Sequence, residues 1–270
     1  MKSFLLTILL FFIIPIIIIM SIWVCNYTNS PIIEIKEKVL ILGDSHTQDA
    51  VNDTIFTESF NYSQGGDPFI YSYAKLVSIA SVSKIDKLIL SVSPVSLNND
   101  TKNWIYKINK LLFYFPPKDL IILFRYAPRL LLKPIFNFYK KEFNKVGGYA
   151  YNDRFKLQED IKRLTCLVPE NSCVPPQIQL LYLDKIVEYC KSKSIKLIFI
   201  NTPMYHAERF YNMDNFYKII EKKYNDVTFW DYGDYILPDS CYGDVGHLNH
   251  IGAKKFSAML QEKVRNKYNQ

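Results

Sequence analysis

The chain has 270 residues and a formal net charge of +7; 49% of its residues are hydrophobic and 15% are aromatic. This composition excludes a largely disordered chain, and the length suits one membrane segment plus one globular domain. The positive balance comes without any recognisable nucleic-acid-binding motif, so nucleic acid is not expected as a partner.

The first element is apolar. Phe4 to Cys25 reads FLLTILLFFIIPIIIIMSIWVC without a charge, and about 20 such residues span a bilayer. A cleaved signal would carry a shorter apolar core and small residues at its exit. Here Trp23 and Val24 occupy that exit. Residues 1–25 are therefore expected as an uncleaved transmembrane anchor, 26–37 as a tether and 38–270 as the folded domain. Lys2 is the charge on the short side, and basic flanks stay cytoplasmic, so the domain is expected outside the cytoplasm, in the periplasm or at the cell exterior.

Beyond the tether, strand and helix patterns alternate. Strands are expected at Val39–Leu42, Phe60–Ser63, Lys87–Leu97, Ile195–Pro203 and Val227–Gly233. Helical spacing is expected over Ile70–Val82, Ile178–Lys193, Arg209–Tyr224 and His250–Lys267. Such alternation predicts an α/β fold: a parallel five-stranded sheet covered on both faces, with function at the carboxyl ends of its strands.

One stretch breaks the pattern. Residues 101–150 are expected as an inserted helical segment. Within it, Thr101 to Glu142 is aromatic and holds Lys102, Lys107, Lys110, Lys118, Arg125, Arg129, Lys133, Lys140 and Lys141 against Asp119 and Glu142. A lid with its lysines in water and a helix lying on a membrane surface both fit that pattern. The five cysteines are Cys25, Cys166, Cys173, Cys190 and Cys241. Cys166 and Cys173, close together in a proline-rich loop, are the expected disulfide in an exported domain. No CxxC or histidine-rich spacing accompanies these cysteines, the HxxH spacing of His247 and His250 has no third ligand in view, and no metal or organic cofactor is implied.

Chemistry gathers at two places. VLILGDSHTQDA, from Val39 to Ala50, runs a buried strand into Gly43, Asp44, Ser45 and His46. A serine hydroxyl is a weak nucleophile until a base takes its proton, and the usual base is a histidine steered by a carboxylate. The histidines are His46, His206, His247 and His250. The second stretch, YGDVGHLNHIGAKKFS from Tyr242 to Ser257, sets Asp244 three residues before His247, with Gly246 and Gly252 permitting tight turns. Read singly, Asp44 and Ser45 also fit a helix cap, His247 fits a surface loop and His250 fits a helix start.

Read together, a strand ending in GDSH near the domain start and DxxHLN before the last helix resemble the SGNH/GDSL hydrolase superfamily. The resemblance covers Val39 to the C-terminus. It implies a flavodoxin-like three-layer α/β/α fold, with Ser45 as nucleophile, His247 as general base and Asp244 as its orienting carboxylate. The Gly43 turn would lift Ser45 to the rim of the sheet, at a helix N-terminus able to hold an oxyanion. The family's oxyanion glycine after the second strand is matched by Gly65 or Gly66 in NYSQGGDP, with Gly65 preferred. Its asparagine after the third strand has no match: SVSPVS puts Ser93 near that position, and Asn201 follows the fourth strand instead.

Anchor, GDSH serine, long insertion and late DxxH also resemble the membrane-anchored proteins of teichoic acid D-alanylation and alginate acetylation. That likeness implies a serine acyl-ester hydrolase or O-acyltransferase, fed by a membrane-bound acyl donor protein and passing the acyl group to a cell-surface carbohydrate acceptor. The alternative is a non-catalytic carbohydrate-binding or assembly factor that keeps the fold.

Overall fold

The computed structural model describes residues 2–28, 33–99, 125, 147–164, 174–206 and 213–266. The expected disulfide between Cys166 and Cys173 and nearly all of the basic aromatic insertion lie outside the described residues.

The N-terminal apolar run is a helix, α1 (Lys2–Thr28). Among the fully described residues no helix is long and apolar enough to cross a membrane; several of the 27 residues of α1 fall outside them.

Five strands follow in the expected places: β1 (Val39–Leu42), β2 (Ser59–Asn61), β3 (Lys87–Ser91), β4 (Lys196–Asn201) and β5 (Thr228–Asp231). All neighbours pair in parallel, in the order β2-β1-β3-β4-β5. The chain steps from β1 to β2 on one side, then crosses back to β3 on the other. The crevice of such a sheet opens at that reversal, outside the carboxyl ends of β1 and β3. The register Leu42↔Leu90 brings those two ends level.

Period-2 alternation splits each strand between two cores. Leu40, Leu42, Leu88, Leu90 and Phe199 face α3 (Phe69–Ala80), α6 (Gln177–Ser192) and α7 (Met213–Lys223), meeting Ile70, Tyr182, Ile186 and Phe216. Val39, Ile41, Ile89, Ile198 and Ile200 face the other way, onto Phe256, Leu260 and Val264 of α8 (His250–Asn266) and onto Phe56. Each fully buried Leu, Ile or Val contributes about 1.5–3 kcal/mol. The unbroken apolar runs in β1 and β3 are thus the mark of strands covered on both faces.

Short helices complete the fold: α2 (Ser45–Ala50) directly after β1, α4 (Pro94–Leu97) after β3, and α5 (Leu157–Leu164). The third strand is shorter than expected. It stops at Ser91, because Ser93 caps a new helix whose first position is Pro94. Proline is favoured there, since the missing N–H has no partner to lose.

Candidate active site

The turn after β1 is set by Gly43. Its φ is +154°, and a β-carbon there would lie 2.2 Å from Ser91 Cβ and 2.6 Å from Thr47 Oγ1. Only glycine lets β1 end this close to β3 and α2. Asp44 then caps α2: its Oδ1 accepts from the His46 N–H at 3.1 Å and from the Ser91 hydroxyl at 3.1 Å. Asp44 is therefore a buried structural cap. Ser45 is the first residue of α2.

The DxxH loop is folded by its own flanks. Tyr242 and Leu248 form an antiparallel bridge, and Gly243 N–H donates to the His247 carbonyl at 2.8 Å. Asn249 Oδ1 accepts from Ile251 and Gly252 at the head of α8, while its Nδ2 donates to the Ser240 carbonyl. At Gly252 a β-carbon would meet the Cys241 carbonyl oxygen at 2.2 Å. The HLNHIG string thus seats the last helix against the loop and fixes where His247 points.

The two halves meet across the sheet rim. His247 Nε2 lies 2.8 Å from Ser45 Oγ, and His247 Nδ1 lies 2.7 Å from Asp244 Oδ1. A carboxylate only accepts, so the Nδ1 hydrogen faces Asp244 and Nε2 is left to take the serine proton. Asp244 Oδ1 also accepts from the Gly246 N–H at 2.9 Å.

Electrostatics favour a charged pair in this arrangement. Burial pulls the His247 pKa down, but the hydrogen bond to Asp244 and the charges of Asp244, Asp49 and Asp44 outweigh it and raise the value above 6.5. For Asp244, burial pushes upward, yet His247, the Gly246 N–H and Arg154 together hold it below the ordinary carboxylate value. Such an arrangement stabilises a positive charge on the His247 imidazole.

Around this core lie residues that the sequence did not single out. Arg154 reaches Asp244 Oδ2 at 3.3 Å and Asp49 Oδ2 at 3.2 Å, and its Nε donates to Asn152 Oδ1 at 3.0 Å. Asn152 in turn donates to Asp49 Oδ2 and to the Leu248 carbonyl. Burial raises the Asp49 pKa, against the opposing charges of His247 and Arg154. His46 stands beside His247 and donates from Nδ1 to the Gly246 carbonyl at 2.8 Å. Burial lowers its pKa, opposed by Asp44 and assisted by His247. His250 meets this chain of contacts only at the Asn152 carbonyl, which accepts from its backbone N–H at 2.7 Å; it starts α8 and its ring stacks on Tyr151.

The oxyanion side differs from expectation. Gly65 does sit beside the serine: a β-carbon on it would be 3.5 Å from Ser45 Cβ. However, its N–H donates to Gln48 Oε1 at 2.7 Å and so already has a partner. Ser93 is displaced from the role altogether. Its hydroxyl accepts from the Ser96 N–H at 3.1 Å, and its own N–H donates to Ser96 Oγ at 2.7 Å. Both groups serve the cap of α4, so neither is offered to a substrate. Asn201 donates from Nδ2 to Asp231 Oδ1 at the end of β5.

Comparison with known proteins adds the following. A protein-family model matches residues 162–269, less than half of the chain. Among curated proteins none matches. Several solved structures are similar. One is a Streptococcus pneumonia protein provisionally described as a platelet activating factor, 12% identical with a TM-score of 0.46, covering 97% of this chain and 99% of its own. Another is a GDSL-like lipase from Bacteroides thetaiotaomicron, 12% identical with a TM-score of 0.43, covering 92% and 97%. A third, provisionally described as a lipolytic protein of the G-D-S-L family from Desulfitobacterium hafniense, is 11% identical with a TM-score of 0.44, covering 84% and 99%. At these scores the likenesses assign no residue a role; the triad rests on its own distances.

Proposed function

We propose that the chain is a serine acyl-ester enzyme of the SGNH/GDSL type. The observation that carries this reading is the continuous relay from Ser45 Oγ through His247 to Asp244, at 2.8 and 2.7 Å. In the proposed reaction Ser45 Oγ attacks an ester carbonyl while His247 Nε2 takes its proton. The tetrahedral intermediate then collapses, the leaving alcohol receives that proton, and the acyl group stays on Ser45. A second attack, by water or by a sugar hydroxyl activated by the same histidine, releases it.

The finer reading is O-acyl transfer to a cell-surface carbohydrate, at a bilayer where a membrane-bound partner delivers the acyl group. It is supported by the apolar N-terminal run, by the basic aromatic stretch between Thr101 and Glu142 and by Lys2 on the short flank. Tethering the domain beside its donor raises the effective concentration of the two. The domain in this reading faces away from the cytoplasm.

A second reading, a non-catalytic carbohydrate-binding or assembly factor, is favoured by the Gly65 N–H already bonded to Gln48 and by the cap that uses Ser93. A fluorophosphonate probe separates the two. The full chain in detergent should take the label on Ser45 alone, with no labelling in Ser45→Ala or His247→Ala. An inert wild-type Ser45 would leave the binding-factor reading standing.

A further inference from the structure

An oxyanion site needs donors aimed at the developing charge, and removing one typically costs about 10²–10³ in turnover. Among the described residues after β3, Ser93 and Ser96 cap each other, and Asn99 Nδ2 already donates to the Gly66 carbonyl at 3.3 Å. A side-chain donor of another origin stands on α2 itself. Gln48 lies three residues after Ser45 on that helix, a spacing that sets both side chains on one face. Its amide is anchored at one end: Oε1 accepts from the Gly65 N–H at 2.7 Å. That bond also fixes which end of the amide is which, because an N–H can only face the oxygen.

The other end is open. Among the described residues Gln48 Nε2 donates no hydrogen bond, although the side chain is half-buried. Ser45 and Gln48 converge on the same point: a β-carbon built on Gly65 would lie 3.2 Å from Gln48 Oε1 and 3.5 Å from Ser45 Cβ. The surrounding frame is rigid. Asn61 Nδ2 donates to the Thr47 carbonyl at 3.0 Å, Thr47 Oγ1 donates to Ser63 Oγ at 2.8 Å, and Gln64 N–H donates to the Gly43 carbonyl at 3.0 Å.

We infer that Gln48 Nε2 is the side-chain donor of the oxyanion site, supplied from the nucleophile's own helix in place of a residue after β3, with Gly65 N–H as the group that orients it. The inference rests on the acyl-ester reading above. In the attack step the carbonyl oxygen gains negative charge as the Ser45 Oγ–carbon bond forms and its proton passes to His247. Nε2–H then stabilises that oxygen without itself exchanging a proton.

The test compares full-length wild type, Gln48→Ala and Gln48→Glu in detergent. Fluorophosphonate labelling rates, p-nitrophenyl acetate turnover and thermal melting are measured for each. Glutamate keeps an acceptor for the Gly65 N–H but has no N–H of its own, so it separates the donor from the anchor. A fall of about 10²–10³ in kcat with KM little changed is expected for both variants, and Glu should melt like the wild type. A Glu variant with wild-type turnover overturns the inference, since the Gly65 bond alone would then matter. A faster Ala variant also overturns it, because Gln48 would then be obstructing the Gly65 N–H. Should Ala fail to fold, the Glu variant decides. A wild type whose Ser45 takes no label removes the acyl-ester reading and this inference together, whereas a labelled wild type matched by Gln48→Ala removes this inference alone.

Discussion

The ring of His46 lies flat against the ring of His247, with centroids 4.8 Å apart and planes inclined by 13°. His46 is also tied to the loop that carries His247, through Nδ1 and the buried Gly246 carbonyl at 2.8 Å. Gly246 N–H meanwhile donates to Asp244. Gly246 is thus held from both sides, at its carbonyl by the residue after Ser45 and at its N–H by Asp244.

His46→Leu is therefore expected to destabilise the domain. It leaves the Gly246 carbonyl without its partner, at a cost of about 1–3 kcal/mol, and it frees the His247 ring to tilt. His46→Asn places an amide N–H near the position of Nδ1 and should recover most of the stability. Urea unfolding of the three proteins checks this; equal midpoints for Leu and wild type would remove the bracing role.

The pH dependence follows from the charges around His247. In the proposed reaction His247 acts in its neutral form, and its pKa is raised above 6.5, with burial opposing Asp244, Asp49 and Asp44. Labelling of Ser45 should therefore rise with pH through a midpoint above 6.5. Asp244→Asn removes the largest source of the raise, so the midpoint should move to lower pH while the plateau falls, by about 10⁴ in well-studied triads. Arg154→Met acts oppositely. It removes the cation 3.3 Å from Asp244 and 3.2 Å from Asp49, so the midpoint should move up, and only modestly because Arg154 is half exposed. A downward shift in Arg154→Met would contradict the network.

Much of this was legible in the sequence, and the exceptions have physical causes. The unbroken runs VLIL and KLILS mark strands buried on both faces, and the GDSH and DxxH strings sit where the relay forms. What sequence spacing cannot carry is pairing across long separations. Arg154 meets Asp49 and Asp244, and His46 meets Gly246, only because the sheet brings their segments together. The early end of β3 had a local signal, Ser93 before Pro94, which the apolar run KLILSVSPVSL obscured. Helix α5 had little apolar content to announce it.

A buried ion pair braces the Gly65 loop from behind. Lys75 Nζ lies 2.7 Å from Asp67 Oδ2 and donates to the Tyr62 carbonyl at 2.9 Å, and both side chains are about fully buried. Lys75 thereby joins the two ends of the segment that carries Gly65. Lys75→Met strands the Asp67 carboxylate and should cost about 3–5 kcal/mol. The double variant Lys75→Met with Asp67→Asn should recover a large part of that loss. Additive losses across the double-mutant cycle would show that the two residues act independently.

The last prediction concerns the glycine on which β1 stops. At Gly43 a β-carbon would fall 2.2 Å from Ser91 Cβ and 2.6 Å from Thr47 Oγ1, at a φ of +154° that side chains rarely adopt. Neither obstacle is the free end of a long side chain. Ser91 ends β3 and donates to Asp44, and Thr47 is inside α2 and donates to Ser63. The Gly43 carbonyl also accepts from Gln64 N–H at the start of the Gly65 loop. Gly43→Ala must therefore push α2 away from β3, with a cost of about 1–3 kcal/mol from overpacking and more from the backbone strain. The same push moves Ser45 off His247, where 1 Å of misplacement is worth about 10²-fold in rate. Labelling of Ser45 in Gly43→Ala should thus fall far more than melting temperature does. Ser91→Gly added to Gly43→Ala removes the nearest obstacle and should return part of both. A Gly43→Ala protein that labels at the wild-type rate would show that the turn tolerates a side chain and that Ser45 is placed by other means.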